Sequence, residues 1–348
     1  MINVALASYG MSGKVFHAPL IAAHPDFALY KVLERHRNDA AADYPDITTV
    51  RTFEDILGDE KVDVVVVNTP NPYHYDMTKA ALEAGKHVVV EKPFTNTVQE
   101  AQKLIAVAEK QQKLLTVFQN RRLDSDFLTI QKVLDQKLCG RVVEYEAHYD
   151  RFRNYIQPDT WKEESGPGSG ILFNLGSHMI DQALVLFGLP EKLFAKLSIQ
   201  RSGGKTPDAY HLILTYPHLH VILKSSYLVR DEGPRYKILG EIGTFTKYGL
   251  DPQEDALKVG ATPTGPDWGK EPKRIWGTLV TELNELPFQG KIASEAGNYL
   301  TFYDNLVKAI SGESPLLVTA QEAMQVIYLI ELAYQSNELG QELPVEIR

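Results

Sequence analysis

One cysteine, Cys139, in 348 residues excludes an internal disulfide and a cysteine zinc site, and suits a reducing compartment. No apolar run approaches the roughly 20 residues needed to span a bilayer. No basic stretch with a cleavage site precedes the first apolar segment, Ile2-Asn3-Val4-Ala5-Leu6-Ala7, so the expectation is a cytoplasmic protein with no membrane partner. Basic residues are the minority among the charges, 36 Lys and Arg against 45 Asp and Glu. The resulting net charge of −9, with no basic stripe, argues against a nucleic-acid surface. Repeats and low-complexity tracts are also missing. What remains is ordinary globular composition, 44% hydrophobic and 23% charged, in a chain long enough for two domains and a substantial core.

Val4-Ala5-Leu6-Ala7 reads as a short strand that runs into Ser8-Tyr9-Gly10-Met11-Ser12-Gly13 and then a helical pattern. The dinucleotide fingerprint Gly-x-Gly-x-x-Gly fits here, with Ser8 in place of the first glycine. Gly10 would let backbone approach a pyrophosphate, and Gly13 would let helix and strand pack closely. The phosphates would rest on the free amides at the helix start. Residues 29–33 form a second strand ending in Glu34. That is about twenty residues past the glycines, where a carboxylate can hold the adenosine ribose. Arg35, next to it, has the planar guanidinium that suits a 2′-phosphate, and Arg37 can assist. Residues 62–67 are a third strand leading into the turn-rich Asn68-Thr69-Pro70-Asn71-Pro72, with His74 just beyond. A helix over 78–84 stopped by Gly85, a helix over 97–112 and a strand over 114–118 continue the alternation. Such spacing means a parallel, doubly wound sheet.

Within that alternation, His87-Val88-Val89-Val90-Glu91-Lys92-Pro93 is a β-branched strand that delivers a lysine and stops on a proline. Lys92 would sit at the carboxyl end of its strand, where open α/β sheets place their ligands. There it is a catalytic acid/base or an anion anchor; the plain alternative is a surface lysine closing a strand.

The alternation ends near Asn120-Arg121-Arg122-Leu123-Asp124, so the expected division is a dinucleotide-binding domain over 1–120 and a substrate-binding α+β domain over 121–348. A helix over 127–138 and a strand over 142–149 lead to Arg151-Phe152-Arg153-Asn154-Tyr155, dense in hydrogen-bond donors. A soft loop, Ser165-Gly166-Pro167-Gly168-Ser169-Gly170, precedes a helix on which Asn174, His178 and Asp181 share one face. Strands over 193–200, 209–216, 220–228, 235–239 and 243–248 are consecutive, which predicts a mostly antiparallel sheet. Residues 251–269, rich in Gly and Pro, read as a surface excursion. Helices over 298–311 and 320–338 close the chain, the second opened by a Thr319/Glu322 capping box. His17, His74, His87, His148 and His178 match no metal-ligand spacing such as His-x-x-x-His, so no metal is expected.

Taken together, Gly10-Met11-Ser12-Gly13-Lys14-Val15-Phe16-His17, Glu91-Lys92-Pro93, Asn120 to Asp124 and Gly176-Ser177-His178-Met179-Ile180-Asp181-Gln182 resemble the Gfo/Idh/MocA oxidoreductase family. The resemblance covers nearly the whole chain and is strongest to the branch that contains bacterial NADP-dependent scyllo-inositol dehydrogenases. It implies an N-terminal Rossmann domain and a C-terminal α+β domain. The large open sheet of the second would receive a sugar or polyol and pack subunits as a homodimer or homotetramer. It also implies Lys92 and His178 as the catalytic pair, with Asn174 standing where the family usually has aspartate. The cofactor, NADP rather than NAD on the strength of that branch, would meet Tyr9 to Gly13, Glu34 or Arg35, Thr69, Pro70, Asn71, His74, Glu91, Lys92, Asn120 and Arg121. Tyr149, Arg151, Tyr155 and Arg235 are the donors expected on substrate hydroxyls, beside Lys92, Asn174 and His178.

Oxidising an alcohol requires removal of the hydroxyl proton while hydride leaves the same carbon. A lysine is a poor base at its reference pKa near 10.4. Burial and the positive charge of oxidised nicotinamide would both disfavour its ammonium. A dihydrodiol or sugar-lactone dehydrogenase and a catalytically inactive NAD(P)-sensing protein are the alternatives; retention of both Lys92 and His178 argues against the last.

Overall fold

The first sheet is built from strands too apolar to face water on either side. In a computed structural model that describes residues 1–158 and 160–347, β1 (Ile2–Leu6), β2 (Phe27–Leu33), β3 (Thr48–Val50), β4 (Val64–Val67), β5 (His87–Glu91) and β6 (Leu115–Phe118) all run parallel. Their order is β3-β2-β1-β4-β5-β6. All four valines of β4 are fully buried, each stabilising the sheet by about 1.5 kcal/mol or more. β4 begins at Val64 rather than at residue 62, because the Asp63 carboxylate accepts the Asn3 amide at 2.8 Å and takes the place of a ladder bond. The strand order reverses between β1 and β4, so the loops after these two strands diverge at the carboxyl edge and open a crevice.

Helices cover this sheet in the expected places. The helix Val98–Gln111 starts on a capping box, with Thr97 Oγ1 accepting from the Glu100 amide and the Glu100 carboxylate accepting from the Thr97 amide. It stops at Gln112, in the left-handed region at φ 52°. The Thr319/Glu322 box forms likewise ahead of the helix Ala320–Leu339.

The second sheet holds β7 (Val142–His148), β8 (Lys192–Ser198), β9 (Ala209–Tyr216), β10 (Leu219–Ser226), β11 (Tyr236–Gly240), β12 (Gly243–Lys247), β13 (Gly277–Leu283), β14 (Leu286–Ile292) and β15 (Leu343–Pro344). They lie in the order β14-β13-β12-β11-β7-β10-β9-β8-β15, every neighbouring pair antiparallel except β7 with β10. Those two run parallel because the chain between them makes a long return that includes the helix Ser177–Phe187. Burial alternates along the strands: Tyr210, Leu212 and Leu214 of β9 are buried, while His211 and Ile213 are exposed. One face therefore carries the core and the other stays open. The β13–β14 hairpin turns on Asn284 and Glu285, both at positive φ, the geometry a two-residue hairpin loop needs.

Two units result, and the division differs from a single cut after residue 120. One comprises Met1–Leu123, Pro252–Trp268 and Asn298–Met324; the other comprises Asp124–Asp251, Gly269–Gly297 and Gln325–Arg348. The stretch expected to be a surface excursion thus belongs largely to the first unit. Its anchor is Gln253, buried, whose Nε2 donates to Leu123 O while its Oε1 accepts from Tyr299 N and Trp268 Nε1. No helix is long and apolar enough to cross a membrane among the described residues.

Candidate active site

The turn after β1 is locked by Asn68, the first residue beyond β4. Its Oδ1 accepts from Ser8 N at 2.9 Å, its Nδ2 donates to Ser8 O at 2.8 Å, and its own carbonyl accepts from Ser8 Oγ at 2.9 Å. The hydroxyl of Ser8 thus has a use that the first glycine of the dinucleotide fingerprint could not serve. Sequence reasoning took Asn68 only as loop; an amide opening a proline-rich turn was the available signal. A Cβ at Gly13 would lie 2.5 Å from Ser8 O and 2.7 Å from Asn68 Nδ2, so only glycine fits. Gly10 is different: Ser8 Oγ, at 3.9 Å, is the nearest atom its Cβ would meet, which leaves open space for an approaching group. The chain is helical from Met11 to Ala23, widened to a π-type turn over Gly13–His17, so its first amides stand at this turn. A pyrophosphate fits such a cradle. Tyr9 and Lys14 flank it, both bound to the Asp43 carboxylate at 2.8 Å, which holds that carboxyl below its ordinary range.

Gly13→Ala is expected to cost about 1–3 kcal/mol of stability through overpacking. A thermal melt checks it, and an unchanged midpoint would mean that the turn yields freely.

At the end of β2 the structure reassigns Glu34. Its two carboxylate oxygens accept the amides of Asp39 and Ala40, at 3.1 and 3.0 Å, and so cap the short helix Asp39–Asp43 instead of facing outward to a ribose. Arg51, which sequence reasoning passed over, donates to Glu34 O, Arg37 O and Asn38 Oδ1 and braces the loop. Arg35 and Arg37 are exposed on it.

At the end of β5, Glu91 is buried and Lys92 is half-buried. The Lys92 amide donates to Glu91 Oε2 at 3.0 Å, and the Lys92–Pro93 peptide bond is cis. His74, expected at the cofactor, is buried, with Nδ1 2.8 Å from Pro93 O and Nε2 2.9 Å from Thr69 O; a neutral ring donates to one of these two carbonyls. Burial pushes its imidazole below the ordinary histidine range. Asn71 and Asn120 are buried nearby in sequence to these turns. Arg121 is also a strut rather than a surface donor. Its guanidinium donates to Tyr299 Oη and to Glu254, and Arg121 with Lys258 holds Glu254 at about 2 although burial works the other way.

In the second unit His178 and Asp181 are buried on the helix Ser177–Phe187. Asn174 precedes that helix, on a π-type turn over Leu172–Gly176, so the regular four-residue spacing to His178 is interrupted. Its Nδ2 lies 3.4 Å from Tyr227 Oη. Arg235 is buried: Nη1 donates to His148 O, Nε lies 3.6 Å from Asp126 Oδ2, and the guanidinium stacks 3.9 Å from the ring centroid of the buried Tyr149. Arg151 remains half-buried and Tyr155 exposed. Arg201, unremarked in the sequence, ties this region together: it donates to Glu163, Asp208 and Tyr155 O from a buried position.

A doubly wound parallel sheet with a glycine turn after its first strand and a lysine at the carboxyl end of β5 is the architecture of a dinucleotide-binding domain. The model for the oxidoreductase family's NAD-binding Rossmann fold matches residues 2–119, and that for its C-terminal alpha/beta domain matches 131–347. The chain belongs to the Gfo/Idh/MocA oxidoreductase family. It is 42% identical over 335 residues to the uncharacterized oxidoreductase YdgJ of Escherichia coli, covering 96% of each chain. It is 38% identical over 345 residues to scyllo-inositol 2-dehydrogenase (NADP(+)) IolW of Bacillus subtilis, covering 99% of this chain and 96% of the relative. The solved structure of yvaA from Bacillus subtilis matches with a TM-score of 0.96 at 38% identity, over 99% of this chain and 98% of that one.

Proposed function

We propose that this oxidoreductase moves a hydride between NADP and a secondary alcohol or ketone of a cyclic polyol or sugar of the inositol type. The observation that carries the reading is Lys92, held at the carboxyl end of β5 by the Glu91 carboxylate on its amide. A nicotinamide cofactor, its pyrophosphate held by the turn Tyr9–Gly13, would supply the hydride acceptor or donor. Lys92 takes the hydroxyl proton in the oxidative direction and returns it in the reductive one. His178 shares that proton or orients the hydroxyl, and Asn174 hydrogen-bonds without holding charge. Substrate hydroxyls are assigned to these three with Arg151 and Tyr155. The name of the Bacillus subtilis relative supports the inositol-like substrate and NADP. The open face of the second sheet, with Ile213 and Val280 exposed on it, is the surface assigned to pairing between copies of the chain.

The test is a panel of inositols, aldoses, sugar lactones and a dihydrodiol with NADP or NAD, read by absorbance of the reduced nicotinamide. Oxidation of a cyclic polyol supports the reading; turnover confined to the dihydrodiol or the lactones replaces the substrate, and turnover of none replaces the enzyme with a nucleotide sensor.

Asn174→Asp is expected to move the pH–rate profile in the alkaline direction, since a carboxylate near His178 favours the imidazolium. An unchanged profile would assign residue 174 to Tyr227 alone.

A further inference from the structure

Outside the residues already assigned to chemistry, the first unit holds a second histidine with an ordered set of partners. His17 is fully buried on the π-type turn Gly13–His17. Its Nδ1 lies 2.7 Å from Tyr303 Oη and its Nε2 lies 3.0 Å from Glu91 Oε1, while the other oxygen of Glu91 accepts the Lys92 amide. Phe118 packs on the imidazole, with ring centroids 4.5 Å apart. The network fixes the tautomer. With the proton on Nε2, His17 donates to Glu91, Tyr303 donates to Nδ1, and every polar group is matched. With a proton on Nδ1 as well, the Tyr303 hydroxyl would need another acceptor, and among the described residues it has none. Hydrogen bonds thus converge on one carboxylate, from Tyr303 through His17 on one side and from the Lys92 backbone on the other.

We infer that His17, with Tyr303 behind it, is a positioning residue for Lys92 that acts by holding the Glu91 carboxylate in place beside it; the inference rests on the role proposed above for Lys92. The lysine's backbone is gripped on both sides, at its amide by Glu91 and through Pro93 O by His74. A side chain that must meet a reacting hydroxyl needs such a fixed base, because a small misplacement costs rate steeply. Glu91 also sets charge. Burial alone would push its carboxyl up, but the hydrogen bond from His17 is the largest of the opposing influences, followed by the fields of His17, Lys92 and His74, and the net direction is down. The groups that face this carboxylate are therefore His17, Lys92 and His74, with Tyr303 behind His17. An anion beside Lys92 favours its ammonium.

Glu91→Gln removes the anion, so Lys92 loses its proton at lower pH and the rising limb of the oxidation profile moves acidward. His17→Phe keeps the packing on Phe118 but removes the hydrogen bond that chiefly opposes burial at Glu91, so the limb moves the same way. Turnover in His17→Phe should fall about 10- to 100-fold, as for other groups that orient a reacting residue, with KM for the polyol and NADPH affinity near wild type. His17→Gln, whose amide can still donate to Glu91, should recover part of the loss, which a merely structural role would not predict. Adding Glu91→Gln to His17→Phe should move the limb no further. Where His17→Phe does not fold, Tyr303→Phe removes only one hydroxyl and should give a smaller acidward shift. A wild-type profile, or an alkaline shift, in the folded variants overturns the inference. If the wild type oxidises no alcohol, the proposed function falls first, and the relay is read without turnover. The pKa of Lys92 is then measured by carbon-13 NMR of the reductively methylated holoprotein. A lower value in Glu91→Gln and His17→Phe upholds the relay, and an unchanged one removes it.

Discussion

Lys92→Ala is expected to cut turnover at least about a hundredfold, the scale of lost general acid/base work, while NADPH binding stays close to wild type. The reason lies in how the residue is held. Its amide is fixed by Glu91, the following carbonyl by His74, and β5 itself by fully or nearly fully buried valines 88–90. Truncating the side chain leaves these backbone contacts in place, so the loss falls on the reacting proton and not on the shape of the crevice. Single-turnover rates and a fluorescence titration of NADPH separate the two. A variant with wild-type turnover would make Lys92 a strand terminus and nothing more. A variant that loses turnover together with NADPH binding would make it an anion anchor.

The elements that place Lys92 were legible because they are periodic or punctuated. An unbroken valine run, a glycine after a helix and a Thr-x-x-Glu box each have one local physical cause, and each forms as the sequence predicts. What the sequence could not show is pairing across distance. Arg121 and Arg235 have the residue type of ligand donors, yet each lies beside a carboxylate more than a hundred residues away, the half-buried Glu254 and the buried Asp126. Lys247 and Glu271, both fully buried and 2.8 Å apart, make a core ion pair that no period announces. The β13–β14 hairpin has no place in the sequence reading; its turn at positive φ, on Asn284 and Glu285, carries the pairing. His17 was legible only as part of a motif. Its partners Glu91 and Tyr303 come from strands and helices 74 and 286 residues along the chain.

Wild-type enzyme should prefer NADP to NAD, and Arg35→Ala should lower kcat/KM for NADP roughly 10- to 100-fold while leaving NAD nearly unchanged. That range corresponds to the loss of one hydrogen bond to a charged group, about 1.5–3 kcal/mol. From sequence alone the end of β2 offered two candidates, a carboxylate that selects the ribose hydroxyls and an arginine that selects a 2′-phosphate. The geometry supports the arginine. Both oxygens of Glu34 already accept backbone amides of the helix Asp39–Asp43, and turning them toward a ribose would strip that helix of its cap. Arg51 braces the same loop from within, through Glu34 O and Arg37 O. The side chains left exposed on it at Arg35 and Arg37 are cationic. A 2′-phosphate gains a charge-assisted hydrogen bond from a guanidinium there, whereas a ribose hydroxyl gains a weaker one. Steady-state kinetics with both cofactors, in the wild type and in Arg35→Ala, decide the matter. NAD preference that survives the substitution would return the ribose to Glu34 and require the cap to open when cofactor binds.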